Sequence, residues 1–292
     1  MQINTETTVI GFIGTGIMGR GMIGNLLKAG YRVNIYSRTK TKAEELIKEG
    51  AVWVETIPAL AARSQVIITM VGTPKDVEDV YFGEGGLIKN TLSGSYLVDM
   101  TTSSPILAVK IYQTARQKGM FALDAPVSGG EAGARDALLA IMAGGDQEAF
   151  DAILPVLNKI GNKVSYRGPA GSGQNTKLCN QISIGPIMMA VCESLSYAAK
   201  NGLDPSEVLK MLEAGTASSW QLSNQGPKML AGNFKPGFYV KHFIKDMKIA
   251  ANVAQEMGLE LPALNLAISR YELLASKGGE ELGIQGLFTL YR

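Results

Sequence analysis

The first half of the chain alternates short runs of β-branched and other apolar residues with segments of helical period. Residues 8–13, 32–36, 51–54, 65–70, 96–99 and 121–124 read as strands, the first as a fully buried one. Helical segments fall at 18–29, stopped by Gly30, at about 40–49, stopped by Gly50, and near 74–81 and 104–118. Strands alternating with helices require right-handed crossovers, so they predict a parallel sheet covered on both faces. Residues 138–143 and 163–166 are further strand candidates around a helix at 147–159, and they extend the sheet.

After Gly168-Pro169-Ala170-Gly171-Ser172-Gly173 the strand signal ends. Helices are predicted at 174–200, 205–213, 245–257 and 263–276. The pattern therefore predicts an α/β fold with two domains. Residues 1–168 form a Rossmann-type, doubly wound, mainly parallel sheet, and residues 169–292 an all-helical domain, joined by a long helix. That helix would reach about 40 Å at 1.5 Å per residue. Gly185-Pro186 predicts a kink or local break within it.

Composition narrows the function classes. A formal net charge of +2 gives no electrostatic case for nucleic acid or an anionic membrane. The polar start at residues 1–8, carrying Glu6, is a poor secretory signal, and the apolar run 183–191 is too short to cross a bilayer. These features predict a cytoplasmic protein. Cys179 and Cys192 match no metal spacing and read as buried thiols in a reduced compartment.

Gly14-Thr15-Gly16-Ile17-Met18-Gly19 follows the first strand and opens the first helix. The first glycine permits a tight turn, the second lets backbone N–H groups approach a pyrophosphate, and the third lets helix and strand pack closely. The diphosphate then meets unpaired N–H groups and the positive end of the helix dipole. The second strand carries the choice of coenzyme. NAD enzymes usually end it with Asp or Glu, bonded to the ribose 2′-hydroxyl. Here Tyr36-Ser37-Arg38-Thr39-Lys40-Thr41-Lys42 offers no acid before Glu44. Arg38 presents a planar fork for a phosphate, Ser37 and Thr39 hydroxyl donors, and Lys42 a charge. Basic residues at a helix start oppose the dipole, which favours a bound anion there. The prediction is NADP, with NADPH preferred over NADH.

Two stretches carry candidate chemistry. Asp124-Ala125-Pro126-Val127-Ser128-Gly129-Gly130 follows a strand, and Ser128 with the N–H groups of Gly129 and Gly130 would make a nest for a substrate carboxylate. Gly171-Ser172-Gly173 leads through Lys177 to Asn180 and Gln181, which share the face of Lys177. A lysine near a helix N-terminus in an apolar stretch gives up its proton more readily than a free one. It could protonate a carbonyl oxygen while hydride reaches the carbon.

In these motifs and their order the chain resembles the β-hydroxyacid dehydrogenases, the family of 3-hydroxyisobutyrate dehydrogenase, tartronate semialdehyde reductase and the glyoxylate/succinic semialdehyde reductases. The resemblance runs from about Val9 to near the C-terminus. It is most specific in Gly11-Phe12-Ile13-Gly14-Thr15-Gly16-Ile17-Met18-Gly19 and in Asp124–Gly130 continuing into Glu131-Ala132-Gly133-Ala134. It implies that Lys177 is the general acid/base and that Ser128, Gly129 and Gly130 hold the substrate carboxylate. It also implies that Met70, Val71 and Thr102 line the nicotinamide side, Thr102 facing substrate as well, with Phe238, Lys245 and Asp246 closing the cofactor from the helical domain. Ser37-Arg38-Thr39 resembles the Asn-Arg-Thr of NADPH-preferring members, with Ser in place of Asn. Where many members carry Asn four residues after the lysine, this chain has Gln181, preceded by Asn180; both are substrate-site candidates. The resemblance further implies a homodimer or homotetramer acting on a small carboxylate substrate.

An imine reductase shares this architecture but usually lacks a lysine at position 177, and a non-catalytic dinucleotide-binding module would be expected to lose the lysine or the nest. His242, the lone histidine, supplies neither a metal cluster nor a triad and reads as structural. Trp220 is placed in a loop that could wall the substrate site. Met188 and Met189 read as core or subunit contacts. No metal site is expected.

Overall fold

The computed structural model describes residues 3–292; the first two residues of the polar N-terminal segment lie outside the described residues. Among the described residues nine strands form one sheet: β1 (Val9–Ile13), β2 (Arg32–Tyr36), β3 (Val52–Trp53), β4 (Val66–Thr69), β5 (Tyr96–Asp99), β6 (Phe121–Asp124), β7 (Val127–Ser128), β8 (Leu139–Gly144) and β9 (Gly161–Gly168). Their order is β3-β2-β1-β4-β5-β6-β8-β7, with β9 paired to β8. The first six strands run parallel, as the crossovers require, while β8 is antiparallel to β6 and β7. This is the doubly wound order whose strand succession reverses between β1 and β4, where ligands bind beyond the strand ends.

The two faces of the sheet feed separate cores. Ile10, Phe12, Val66, Ile68, Tyr96 and Val98 pack into one, and Ile13, Ile67 and Leu97 into the other. Successive residues point to opposite faces. Burial on both sides therefore explains why these strands lack an apolar–polar alternation.

The chain divides into two compact units, one running to Lys177 and one from Leu178 to Arg292. The division lies inside the helix Ser172–Lys200, which joins them. The second unit is helical, with Pro205–Ala214, Trp220–Leu230, Val240–Glu256, Pro262–Leu274 and a terminal 3-10 turn at Ile284–Leu290. Met188, Cys192, Leu195, Phe243, Met247 and Tyr271 are among its core residues.

Several sequence expectations need correction. The long helix passes through Gly185-Pro186 without a break. Proline there removes one hydrogen bond, to the carbonyl of Ile182, while Gly185 lets the helix lie so close to Ala267 and Met247 that a Cβ would sit 3.0 Å from each. By length and composition this helix is long and apolar enough to cross a membrane, more than the run 183–191 suggested, though a helix buried in a protein core passes the same test. Cys179 is exposed, not buried, because it lies about 200° around the helix from Lys177. Trp220 is not in a loop; it is the first residue of a helix capped by the Ser219 hydroxyl. The short helices Ile57–Ala61, Leu87–Asn90 and Gly130–Arg135 were not predicted, since one or two turns show no period.

Candidate active site

Strand register brings the chemistry of the first unit to one edge. Tyr36 pairs with Ile13, Ile13 with Thr69, Thr69 with Asp99, and Asp99 with Asp124. The last residues of five strands thus stand at one level, and the loops after them carry the predicted site residues.

The turn after β1 is built for close approach. Gly14 has φ +108°, and a Cβ on it would lie 2.0 Å from the Met70 carbonyl oxygen. A Cβ on Gly19 would lie 2.0 Å from the Gly14 carbonyl oxygen. Gly16 is different: nothing stands within 4 Å of where its Cβ would be. It heads the helix Ile17–Lys28, whose N-terminus has no side-chain cap. The adjoining Thr15 hydroxyl is buried without a hydrogen-bond partner. Uncapped N–H groups, open space and an orphaned hydroxyl fit a dinucleotide pyrophosphate.

Gly14 N–H donates to the Tyr36 carbonyl (2.9 Å), which brings Ser37, Arg38 and Thr39 beside this turn. The dipole argument for an anion here does not survive. Residues 40–43 form a 3-10 turn, and the α-helix starts only at Glu44, with Glu44 and Glu45 in its first turn. The basic residues precede that helix and have acidic partners from elsewhere: Lys40 meets Glu55 at 2.9 Å and Arg38 meets Asp76 at 2.8 Å. Arg38 remains largely exposed, as does Lys42.

Met70 and Val71 follow β4, and Thr102 follows β5, all half-buried. A buried hydrogen-bond chain connects these loops. The Tyr81 and Thr69 hydroxyls are 3.2 Å apart, Thr69 donates to Asp99 Oδ1 (2.8 Å), and Asp99 Oδ1 also accepts from Thr101 N–H (3.2 Å). The Thr101 hydroxyl in turn accepts from Val71 N–H at 3.0 Å. Burial pushes the Asp99 carboxyl from 3.8 up to about 6, against its hydrogen bonds and with a contribution from Asp124.

The start of the long helix is fastened to the same edge. Asp124 Oδ1 accepts from Gly171 N–H and Oδ2 from Gln174 N–H, both at 2.8 Å, so a strand-end carboxylate caps a helix 47 residues later. Gln174 is fully buried; its Oε1 accepts from Ser103 N–H (2.9 Å) and its Nε2 donates to the Thr101 carbonyl (2.8 Å). Gly173 permits this junction, because a Cβ there would lie 2.3 Å from the Met142 carbonyl oxygen. Lys177 is one turn further on and only 6% exposed. A lysine is almost never buried to this degree unless its ammonium is paired or hydrogen-bonded.

Ser128 ends β7 and leads into Gly129 (φ +137°) and Gly130 (φ +63°), a backbone only glycine adopts readily. The helix that follows lies against the first helix at Gly21, where a Cβ would be 2.7 Å from the Ala134 carbonyl carbon, and Asn25 Nδ2 donates to Ala134 O (2.8 Å). The Ser128-Gly129-Gly130 turn therefore neighbours the helix that begins at the Gly14–Gly19 turn.

In the second unit Gln181 is fully buried, accepts from Asn180 Nδ2 and donates to Asp246 Oδ2, both at 2.8 Å. Asp246 Oδ1 meets Lys245 Nζ at 3.0 Å, so both carboxylate oxygens are engaged. Phe238 is half-buried, edge-on to Phe243. Burial and then the ammonium groups of Lys245 and Lys241 push the His242 imidazole down.

Sequence reasoning missed Asp99, Gln174 and Asp76 altogether and gave Asp124 no role beyond its motif. A usable signal existed for Gly21: glycine inside a helix costs about 1 kcal/mol, which marks a close contact.

Residues 9–168 match the model of the NAD binding domain of 6-phosphogluconate dehydrogenase. Residues 171–291 match the NAD-binding domain model of NADP-dependent 3-hydroxyisobutyrate dehydrogenase. The chain belongs to the β-hydroxyacid dehydrogenase family. It is an oxidoreductase of the kind that acts on CH–OH groups with NAD(P). An uncharacterised oxidoreductase of Bacillus subtilis is 54% identical, over 97% of this chain and 98% of its own length. The 2-hydroxy-3-oxopropionate reductase of Escherichia coli is 38% identical over 94% of this chain and 93% of its own. The solved 3-hydroxyisobutyrate dehydrogenase of Mycobacterium tuberculosis, with L-serine, is 29% identical with a TM-score of 0.91, covering 98% of this chain and 99% of that one.

Proposed function

We propose that the protein reduces a small aldehyde- or keto-acid to the hydroxy acid with NADPH, and catalyses the reverse oxidation, with Lys177 as general acid and base. The observation that carries this reading is the burial of Lys177 one turn beyond a helix start pinned by Asp124 and Gln174 to the strand-end edge. The nicotinamide, when bound, supplies or takes the hydride. Lys177 Nζ gives its proton to the carbonyl oxygen in reduction and removes it from the hydroxyl in oxidation. Ser128 and the N–H groups of Gly129 and Gly130 hold the carboxylate. Gly14–Gly19 receives the pyrophosphate, and Arg38, Ser37, Thr39 and Lys42 receive a 2′-phosphate, giving NADPH the preference. Glyoxylate and the succinate, tartronate and methylmalonate semialdehydes all combine a carboxylate with a reducible carbonyl. The E. coli relative is named for 2-hydroxy-3-oxopropionate, an aldehyde acid, and L-serine in the M. tuberculosis structure is a three-carbon 3-hydroxy acid.

Lys177→Ala and the closer-fitting Lys177→Met are expected to bind NADPH as before and to lose about 10²- to 10⁴-fold in kcat on the best acid of that panel. NADPH oxidation is the readout for turnover and fluorescence titration for binding. Undiminished reduction by either variant overturns the mechanism.

A further inference from the structure

Arg38 is not poised alone at the end of β2. Its Nη1 lies 2.8 Å from Asp76 Oδ1, on the helix Pro74–Phe82 that follows β4. β2 and β4 flank β1 in the sheet, so the pair forms a bracket across the end of the strand that leads into the Gly14–Gly19 turn. The two partners differ in freedom. The Arg38 side chain is 78% exposed and that of Asp76 only 17%. Asp76 is held from behind: Thr73 Oγ1 donates to its Oδ2 at 2.8 Å, its own N–H donates to Thr73 Oγ1 at 3.1 Å, and Gly72 leaves its carboxylate room, since a Cβ there would come within 3.0 Å of Oδ2. The carboxylate is held on both sides by its own helix start, whereas the guanidinium has the ion pair on one side and solvent on the other.

We propose that Asp76 is a cofactor-discrimination residue that restrains the preference for NADPH, so that the enzyme uses both coenzymes. This rests on the reading of Arg38 as the 2′-phosphate ligand. A 2′-phosphate must draw the guanidinium away from Asp76 or share it, and it brings its own negative charge toward a fixed carboxylate. The bare ribose of NADH meets the opposite situation. Its 2′-hydroxyl is a donor, and Asp76 supplies from the β4 side the acceptor that NAD enzymes usually carry at the end of the second strand. The carboxylate thus acts on both coenzymes in opposite directions.

The test is Asp76→Asn. An asparagine oxygen can still accept from Thr73, so the helix cap is kept while the charge is lost. We expect the ratio of kcat/KM with NADPH to that with NADH to rise about two- to fivefold, toward the upper end of what an exposed ion pair spans. Dissociation constants for NADPH and NADH, measured by fluorescence titration of the full chain, should move the same way. An unchanged or lower ratio overturns the proposal. Arg38→Ala, run beside it, separates the two ideas. If Arg38→Ala lowers NADPH affinity and Asp76→Asn leaves the ratio alone, the role of Asp76 fails while the phosphate site stands. If Arg38→Ala leaves NADPH affinity intact, the phosphate site itself is misplaced and both fail.

Discussion

Asp99 is a buried carboxyl whose charge can be removed with little change of shape. It ends β5, is 4% exposed, and its hydrogen bonds from Thr69 Oγ1 and Thr101 N–H both go to Oδ1. In Asp99→Asn the amide oxygen can take that position and keep both. What changes is titration. Burial holds the native carboxyl at about 6, above its ordinary 3.8, so the folded state binds the proton more tightly than the unfolded one. The resulting stability is fully present below about pH 4 and is lost as pH rises through about 6. The displacement corresponds to about 3 kcal/mol. Asparagine carries no such dependence. Relative to the native chain, Asp99→Asn should therefore gain about 3 kcal/mol between pH 4 and pH 8. Urea unfolding at fixed protein concentration measures this. Of the two tryptophans, Trp53 lies in the first unit and Trp220 in the second, so a Trp220→Phe background isolates the transition that contains Asp99. A difference between variant and parent that stays constant with pH, or shrinks as pH rises, would refute the claim that burial raises the Asp99 carboxyl.

Two further outcomes follow from the same edge of the sheet. Arg38→Asp places a carboxylate where the guanidinium stood and should lower kcat/KM with NADPH about 100-fold more than with NADH, roughly 3 kcal/mol of lost charge-assisted bonding and added repulsion; equal losses in coenzyme titrations would locate the phosphate elsewhere. Gln174→Leu leaves Ser103 N–H and the Thr101 carbonyl unmet in a buried place, and should destabilise the first unit by about 2–5 kcal/mol in the Trp53 transition. A loss below 1 kcal/mol would mean that the loop after β5 does not depend on the helix start.

The secondary structure was legible wherever an element was long enough to show a period. β1, β2, β5 and β6 and most helices of ten or more residues lie within two positions of their predicted bounds, while the helix Val240–Glu256 starts five residues before the expected position 245. The exceptions have local causes. The helix Trp220–Leu230 was missed because Gly226 and Pro227 break its pattern, although Ser219 stood at its head as a cap. Gly185-Pro186 reads as an interruption because glycine followed by proline is a strong breaker in isolation, yet the helix continues through it, with Gly185 packed closely against Met247 and Ala267.

The glycine spacing of residues 14–19, the basic run after the second strand, the Ser128-Gly129-Gly130 turn and the lysine at 177 are local patterns, and the order of residue types along a few turns is enough to single them out as candidates. Asp76 on Arg38, Asp124 on the N–H groups of Gly171 and Gln174, and Asp99 between Thr69 and Thr101 are a different kind of fact. Each depends on which strand ends stand side by side and on how deeply they are buried. A carboxylate that looks like any solvated acid in the sequence becomes an ion-pair anchor, a helix cap or a raised acid only when the fold brings its partners to 2.8–3.2 Å and takes it largely out of water.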